Sequence, residues 1–424
     1  MIAGALVRAT VAGVPSAEEV PATATATATP LTTPHDGVPE VITTATALAA
    51  AAAALAAGSG PTAVDAERAS GYRYGQHAYL IQLRRTESGT FLIDPTPFTD
   101  LEPIAAAIAD SEWILHAANQ DLACLAEVGL VPAAIFDTEV AARILGKPRV
   151  GLAALVESEL GFHLAKEHSA ADWSTRPLPT SWLNYAALDV ELLIELRARL
   201  ADELAETGRQ PWATEEFEHV LSLPQRQPHA EPWRRTSGIH RVRTGRQLAI
   251  VRSLWLQRDS LAAQLDRAPG RVLPDHSVIA AARAAPRSAG ALGALPEFSG
   301  RGTRRRIQTW WTAVAAALEL ADDDLPASRS PQASPPPAKS WSDKNPSAGA
   351  RLAAARSAIA DHHRDLGIPA ENLLTPDAVR QLCWAPPMPL TRESVATALS
   401  ELGARRWQIE LCSGAVFDAL VAHA

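Results

Sequence analysis

Four acidic residues, Asp65, Glu67, Asp121 and Asp189, fall at three separate points of an apolar chain, and Tyr185 lies one helical turn before the last of them. In Val64-Asp65-Ala66-Glu67 the two carboxylates are two residues apart on a candidate strand. Period-two geometry points both to one face, where they can share a metal ion. In Asn184-Tyr185-Ala186-Ala187-Leu188-Asp189 the i to i+4 spacing stacks a phenol and a carboxylate on one face of a helix. Packing such carboxylates together raises their pKa values and is costly unless cations neutralise them. Hard, oxygen-seeking Mg2+ or Mn2+ is the natural partner. Two ions roughly 4 Å apart can activate a water and stabilise the leaving oxygen of an in-line displacement. The pattern implies metal-dependent phosphodiester hydrolysis, with the tyrosine beside the ions to orient the water. Each piece alone has a blander reading: Asp-x-Glu as solvated charge at a strand edge, and Tyr185 with Asp189 as an exposed helix pair.

The elements that must position these groups follow from the surrounding pattern. Val41-Ile42-Thr43 opens as a strand and the alanine-rich run 45–57 reads as a helix, too short to span a bilayer. Gly58-Ser59-Gly60-Pro61-Thr62 leads almost directly into the Asp65 strand, and a proline there predicts a short or edge-like beginning. Residues 78–83 and 90–93, joined by a polar connection, read as a hairpin. A strand from Trp113 to Leu115 turns into a helix at Asp121. Asp137 precedes the helical run 138–145 and reads as its N-cap. From Gly151 onward the pattern is mostly helical. The mixture predicts an α/β domain in which an antiparallel hairpin extends a partly parallel sheet.

Three motifs carry a family resemblance: Val64-Asp65-Ala66-Glu67-Arg68-Ala69, followed by Tyr79-Leu80-Ile81-Gln82-Leu83; His116-Ala117-Ala118-Asn119-Gln120-Asp121-Leu122; and Trp182-Leu183-Asn184-Tyr185-Ala186-Ala187-Leu188-Asp189, preceded by Asp172-Trp173-Ser174-Thr175-Arg176-Pro177-Leu178. Over about residues 40 to 325 the chain resembles the ribonuclease D family, DEDD-type 3'-5' exonucleases of the tyrosine-bearing subclass. The resemblance implies a ribonuclease-H-like 3'-5' exonuclease domain followed by two small all-α domains, HRDC and HRDC-like. It implies metal ligands at Asp65, Glu67, Asp121 and Asp189, with Asp65 bridging two Mg2+ or Mn2+ ions and Asp121 reaching its ion through water. Tyr185 takes the water-positioning role. His116 and Asn119 either hold the RNA end or orient Asp121, or His116 is structural. The implied activity is a 3'-5' exoribonuclease that trims single-stranded 3' ends of structured RNA, with tRNA precursors as substrate, and releases nucleoside 5'-monophosphates. The rival readings are a 3'-5' DNA exonuclease of the same superfamily and a non-catalytic RNA-binding scaffold. The intact carboxylates and Tyr185 argue against the scaffold.

Composition divides the 424 residues further. Residues 1–38 read as a disordered leader, with the repeat Ala22-Thr23-Ala24-Thr25 and no basic segment typical of a secretory signal. The nuclease domain is expected over 39–221 and a linker with three prolines over 222–237. An HRDC domain follows over 238–325. Between residues 231 and 320, fifteen arginines against six acidic residues give a formal charge of +9 in a chain whose net charge is −8. Positive charge is thus concentrated in this module, as phosphate binding requires, although a solubilising face would look alike. Arg301, Arg304, Arg305 and Arg306 are the candidate RNA contacts, and the adjacent Trp310 and Trp311 read as core. A proline- and serine-rich linker is expected over 326–346 and a C-terminal helical domain of ribonuclease D type over 347–424. Gly403-Ala404-Arg405-Arg406-Trp407-Gln408 stands out there, with packing or RNA positioning as its open roles. Cys124, Cys383 and Cys412 lack the spacing of a disulfide scaffold or zinc site, which suits a reduced, cytoplasmic setting.

Overall fold

A computed structural model describes residues 28–164, 171–223, 230–327 and 335–423. Eight strands are present among them: β1 (Thr29–Leu31), β2 (Val41–Ile42), β3 (Ser59–Arg68), β4 (Ala78–Thr86), β5 (Gly89–Ile93), β6 (Trp113–Leu115), β7 (Ile135–Asp137) and β8 (Phe162–Leu164). Six of them form a sheet in the order β2-β5-β4-β3-β6-β7. The β3-β4-β5 meander is antiparallel, and β2, β6 and β7 add in parallel.

The strand carrying Asp65 and Glu67 is neither short nor at the edge: β3 spans ten residues with a partner on each side. Pro61 is accommodated because the β3-β4 register slips between Ser59 and Thr62. The slip leaves Gly60 and Pro61 outside the ladder, so the missing proline N–H costs no ladder bond. Regular pairing resumes at Thr62, whose N–H reaches Glu112 O at 2.9 Å.

The leader expected to be unstructured through residue 38 is ordered over the described residues from 28 on. β1 pairs in parallel with β8, and Leu31 and Pro34 are buried. Low-complexity composition hides such a segment because its partner strand lies far along the chain; residues 1–27 are outside the described residues. The proline-rich stretches also enter packed structure at their ends. Trp233 lies in the core of the helices that follow it, under the Arg234 guanidinium at 4.2 Å. Trp341 is buried, donates its indole N–H to Pro336 O at 2.7 Å and packs 5.0 Å from Trp384. Each tryptophan removes enough apolar area from water to recruit its neighbourhood to a core.

The helices after β7 divide by how they attach. Those of the basic module, including Gly245–Gln264, Asp275–Ala284 and Ile307–Glu319, enclose their own core around Leu254, Phe298 and Trp310, with Trp311 packed against it half-buried. The C-terminal helices, including Pro346–Leu366 and Arg406–Val421, instead share one continuous apolar core with the nuclease sheet. Their seam explains the Gly403–Gln408 motif. Trp407 stacks on Trp212 at 5.3 Å, and its indole N–H and the Arg405 guanidinium both donate to the buried Glu216 carboxylate, at 2.9 and 2.7 Å. Gly146 and Gly367 pass so closely that a Cβ on Gly146 would lie 2.9 Å from the backbone of Gly367. Packing is the motif's role. Trp407→Ala is expected to destabilise the full chain by about 3–5 kcal/mol, seen as a lowered calorimetric Tm, because it both opens a cavity and strips a donor from a buried carboxylate.

Candidate active site

β3 presents Asp65 and Glu67 from the middle of the sheet. Opposite them lies the helix Thr180–Glu191, whose Ala186 and Ala187 are fully buried against Leu80, Leu92 and Trp173. Two consecutive alanines on that face let the helix backbone approach the sheet closely, which brings Tyr185 and Asp189 within reach of β3. Trp173 sits beneath, its ring centroid 5.3 Å from Trp182 and 6.4 Å from Tyr185. Arg176 locks this layer by donating to Asp94 at 2.6 Å, Trp173 O at 2.7 Å and Tyr79 O at 2.7 Å. Burial works to raise the Asp94 pKa, but the bonds from Arg176 and Thr96 outweigh it and hold the carboxyl below its usual value.

In this geometry one carboxylate oxygen from each of Asp65, Glu67 and Asp189 lies within 4.8 Å of the others. Asp121 joins from a third direction, at the head of the helix Leu122–Ala126 and buried. Its approach is set by a left-handed turn at Ala117, φ 60°, that the buried Asp137 carboxylate clamps. Asp137 accepts from the Ala117 and Ala118 N–H groups at 3.1 and 2.7 Å, while also capping the helix Thr138–Leu145 through Glu139 and Val140 N–H. Asp137 is therefore the cap read from the sequence and, in addition, the staple that aims Asp121.

The electrostatics are those of a cation site. Burial, then the charges of Asp65, Asp189 and Asp121, push Glu67 up to about 10. Burial raises Asp65 to about 6, against the Ala66 N–H and the Arg68 charge. Asp121 and Asp189 are each raised well above the ordinary value, first by burial and then by Asp65. Tyr185 hydrogen-bonds Asp189, and burial plus the Asp189 charge raise its pKa, so the phenol keeps its proton. Gln82 stands opposite Asp65 in the β3-β4 register, fully buried, with no hydrogen-bond partner for either amide atom. Crowded hard oxygen donors, mutually raised pKa values and an orphaned polar amide beside them fit a hydrated divalent cation.

Arg68, quoted in the first motif but given no role by sequence reasoning, is a member of this site. Its guanidinium lies 3.3 Å from Asp121 and donates to Gln120 O at 2.6 Å. Its signal was a cation placed directly after a candidate metal-ligand carboxylate. With Glu67, Gly71 and Tyr72 it lines a cleft of about 260 Å³.

The remaining candidates are dispersed. His116 is bound through Nδ1 to Thr138 Oγ1 at 2.9 Å, and burial lowers its pKa to about 4, so it is neutral at physiological pH. Asn119 is exposed and lines a separate groove with Leu122, Val131 and Leu223. Arg301, Arg304 and Arg305 are exposed and Arg306 half-exposed, all around the short helix Arg301–Arg305 of the basic module; among the described residues no ion pair engages them. That module meets the nuclease at the lip of the cleft. Arg271 donates to Gly71 O at 2.6 Å and stacks over Tyr72 at 4.1 Å; Tyr74 donates to Asp259 at 3.1 Å, and Arg73 pairs with Asp266 at 3.0 Å.

Carboxylates converging on the open face of such a sheet, with a helical tyrosine beside them, define a divalent-metal-dependent 3'-5' exonuclease. Comparisons agree: residues 39–205 match the 3'-5' exonuclease family, 247–314 the HRDC domain, and 334–420 the 3' to 5' exonuclease C-terminal domain. The chain is 34% identical over 286 residues to ribonuclease D of Granulibacter bethesdensis, covering 65% of this chain and 71% of that protein. It is also 34% identical over 271 residues to ribonuclease D of Escherichia coli, covering 62% and 71%. The chain belongs to the ribonuclease D family of 3'-5' exoribonucleases. The crystal structure of Escherichia coli RNase D, titled an exoribonuclease involved in structured RNA processing, superposes with TM-score 0.69 at 29% identity over 91% of this chain and 99% of that one. A crystal structure of a protein from Bifidobacterium adolescentis superposes with TM-score 0.85 at 39% identity over 93% and 100%. No helix among the described residues is long and apolar enough to cross a membrane.

Folding raises the pKa of these carboxyls, so above about pH 4 the folded protein without metal holds protons that the unfolded chain has released. Their contribution to stability is present below that pH and lost as pH climbs through about 6, where Asp65 ionises, and on toward the Glu67 value. A divalent cation relieves the resulting repulsion. The rise in Tm on adding excess metal is therefore expected to be larger at pH 8 than at pH 5.5. In chelator at pH 8, Glu67→Gln is expected to raise Tm by about 2–4 °C while weakening metal binding, both measurable by scanning and titration calorimetry.

Proposed function

We propose that this protein trims single-stranded 3' ends of structured RNA, tRNA precursors among them, with Asp65, Glu67, Asp121 and Asp189 as metal ligands and Tyr185 as the water-orienting group. The observation that carries the assignment is the approach of the Asp65, Glu67 and Asp189 oxygens to within 4.8 Å of one another beside the Tyr185–Asp189 hydrogen bond. Water adds across the terminal phosphodiester: the bond from phosphorus to the 3'-oxygen breaks, a nucleoside 5'-monophosphate leaves, and a new 3'-hydroxyl remains. Two Mg2+ or Mn2+ ions bound by these carboxylates would supply an activated water and stabilise the leaving oxygen. Asp65 would hold metal together with Glu67 and Asp189, whose oxygens lie within 4.8 Å of its own. Tyr185, protonated and tied to Asp189, turns its hydroxyl oxygen toward the water and accepts from it. Arg68 offers a cation on the cleft wall, offsetting part of the repulsion between carboxylates and incoming phosphate.

Charge supports the RNA path. The basic module reaches the cleft lip through Arg271, and its exposed Arg301, Arg304 and Arg305 can bind backbone phosphates while the free end enters the acidic pocket. His116, bound to Thr138, serves a structural role, and Asn119, exposed in a neighbouring groove, is the one of the two placed to touch RNA.

Two outcomes check this reading. In a time course on a 3'-extended tRNA, Asp65→Ala and Asp189→Asn are expected to lower kcat by about 10³-fold or more, as chelator does, and Tyr185→Phe by about 10²-fold. Undiminished metal-dependent release of nucleoside monophosphate from Asp189→Asn would sink the site, and faster digestion of single-stranded DNA would sink the RNA assignment. Replacing Arg301, Arg304 and Arg305 together by Glu should raise KM with kcat unchanged. It should also flatten the slope of log affinity against log salt by about 2, read from binding titrations across salt concentrations.

A further inference from the structure

The helix that carries Tyr185 and Asp189 has a second face, away from the metal ligands, and the segment 29–38 lies across it. β1 is tied to β8, with Thr29 N–H on Gly161 O at 2.9 Å and Leu31 in the core. The chain then crosses the helix. The Asn184 side-chain amide donates to Thr32 O at 2.7 Å. Three residues on, His35 donates its backbone N–H to Glu191 Oε1 at 3.0 Å, and its ring Nδ1 lies 2.7 Å from the same oxygen. Glu191 is 1% exposed, and its other oxygen faces Arg84 of β4 at 3.3 Å. Val38 then packs in the cluster that holds Trp173 and Tyr185.

Glu191 is the least expected of these groups. A carboxylate is rarely so deeply buried unless something is gained from the pair it makes, since desolvation roughly cancels the attraction. Here the pair joins three elements: the crossing segment through His35, the helix through Glu191 itself, and the strand next to β3 through Arg84. The two anchor points, Asn184 and Glu191, are seven residues apart, about 10 Å along a helix axis, and they bracket Tyr185 and Asp189. Hydrophobic packing on the alanine face leaves a helix free to slide and roll by fractions of an ångström. Two directional bonds at separate heights remove both freedoms.

We infer that residues 29–36 are a brace that sets the position of the Tyr185–Asp189 helix against β3, with Asn184 and Glu191 as positioning residues that act through Tyr185 and Asp189. This rests on the site reading above. The brace touches neither substrate nor the metal ligands' oxygens, so its loss should be felt in the chemical step and not in RNA binding. Misplacement of a catalytic group by about 1 Å costs on the order of 10²-fold in rate.

The test uses the full-length protein with His35→Ala and Asn184→Ala, singly and together, each also combined with Tyr185→Phe. Both replaced side chains reach the surface, so the fold should persist, and Tm is recorded for every variant. The substrate is the 3'-extended tRNA, and Mn2+ binding is measured in parallel. The double variant is expected to lose about tenfold or more in kcat with KM within about twofold, and to bind Mn2+ more weakly, because Asp189 rides on the same helix. In the Tyr185→Phe background the same two changes should cost kcat less than they do with Tyr185 present, because the tyrosine's share of the loss is already taken. His35→Gln, which keeps a side-chain donor toward Glu191 beside the backbone N–H that every variant retains, should restore most of the rate. An unchanged kcat in the double variant, or losses that multiply with Tyr185→Phe, would show that the segment only stabilises the fold and would overturn the brace. Should Tyr185→Phe alone leave kcat intact, the site reading itself falls, and the brace with it.

Discussion

Mutual repulsion among desolvated carboxylates is the constraint on which the rest of the molecule turns. Asp65, Glu67 and Asp189 are held with oxygens within 4.8 Å, and Asp121 is buried beside them. Left alone such groups protonate or push apart, and burial raises every one of their pKa values. Only elements that are themselves strongly fixed can hold them together. β3 therefore runs through the middle of the sheet, the Tyr185 helix is seated on it through two alanines, Arg176 ties Trp173 to the strands, and Asp137 clamps the turn before Asp121. The same repulsion that burdens the fold gives the pocket its appetite for a divalent cation.

The surrounding modules attach according to what they must do. The C-terminal helices merge their apolar side chains with the nuclease core and bring donors from Arg405 and Trp407 to the buried Glu216 carboxylate. The basic module keeps a separate core and meets the nuclease through hydrogen bonds, an ion pair and the stacking of Arg271 on Tyr72. Polar seams of this kind are looser than apolar ones. The polar seam lies at the cleft lip.

Much of the catalytic constellation was legible in the chain because local periodicity reports side-chain direction. The i, i+2 pair on β3 and the i, i+4 pair on the helix each face one way for reasons internal to a strand or a helix. Helix 45–57, the 78–93 hairpin and the Asp137 cap follow from equally local rules, and the structure has all three. What local rules missed was long-range. Pro61 suggested a frayed edge, yet a register slip absorbs it in a central strand. The alanine- and threonine-rich leader gave no hint of β1, whose partner is β8. Arg68 had no role until its distance to Asp121 was known, and nothing in the local pattern singled out Glu191, which His35 and Arg84 close over.

The sequence by itself determined which atoms could do chemistry: oxygen donors at fixed phase on their own elements, a phenol one turn from a carboxylate, and arginines gathered into one module. Tertiary structure alone decided where those elements stop relative to one another, and so how far each pKa moves, which cation lies against which carboxylate, and what braces the helix from behind. The division is physical. Side-chain phase depends on backbone geometry over a few residues, whereas Coulomb energies and burial depend on distances between segments far apart in the chain.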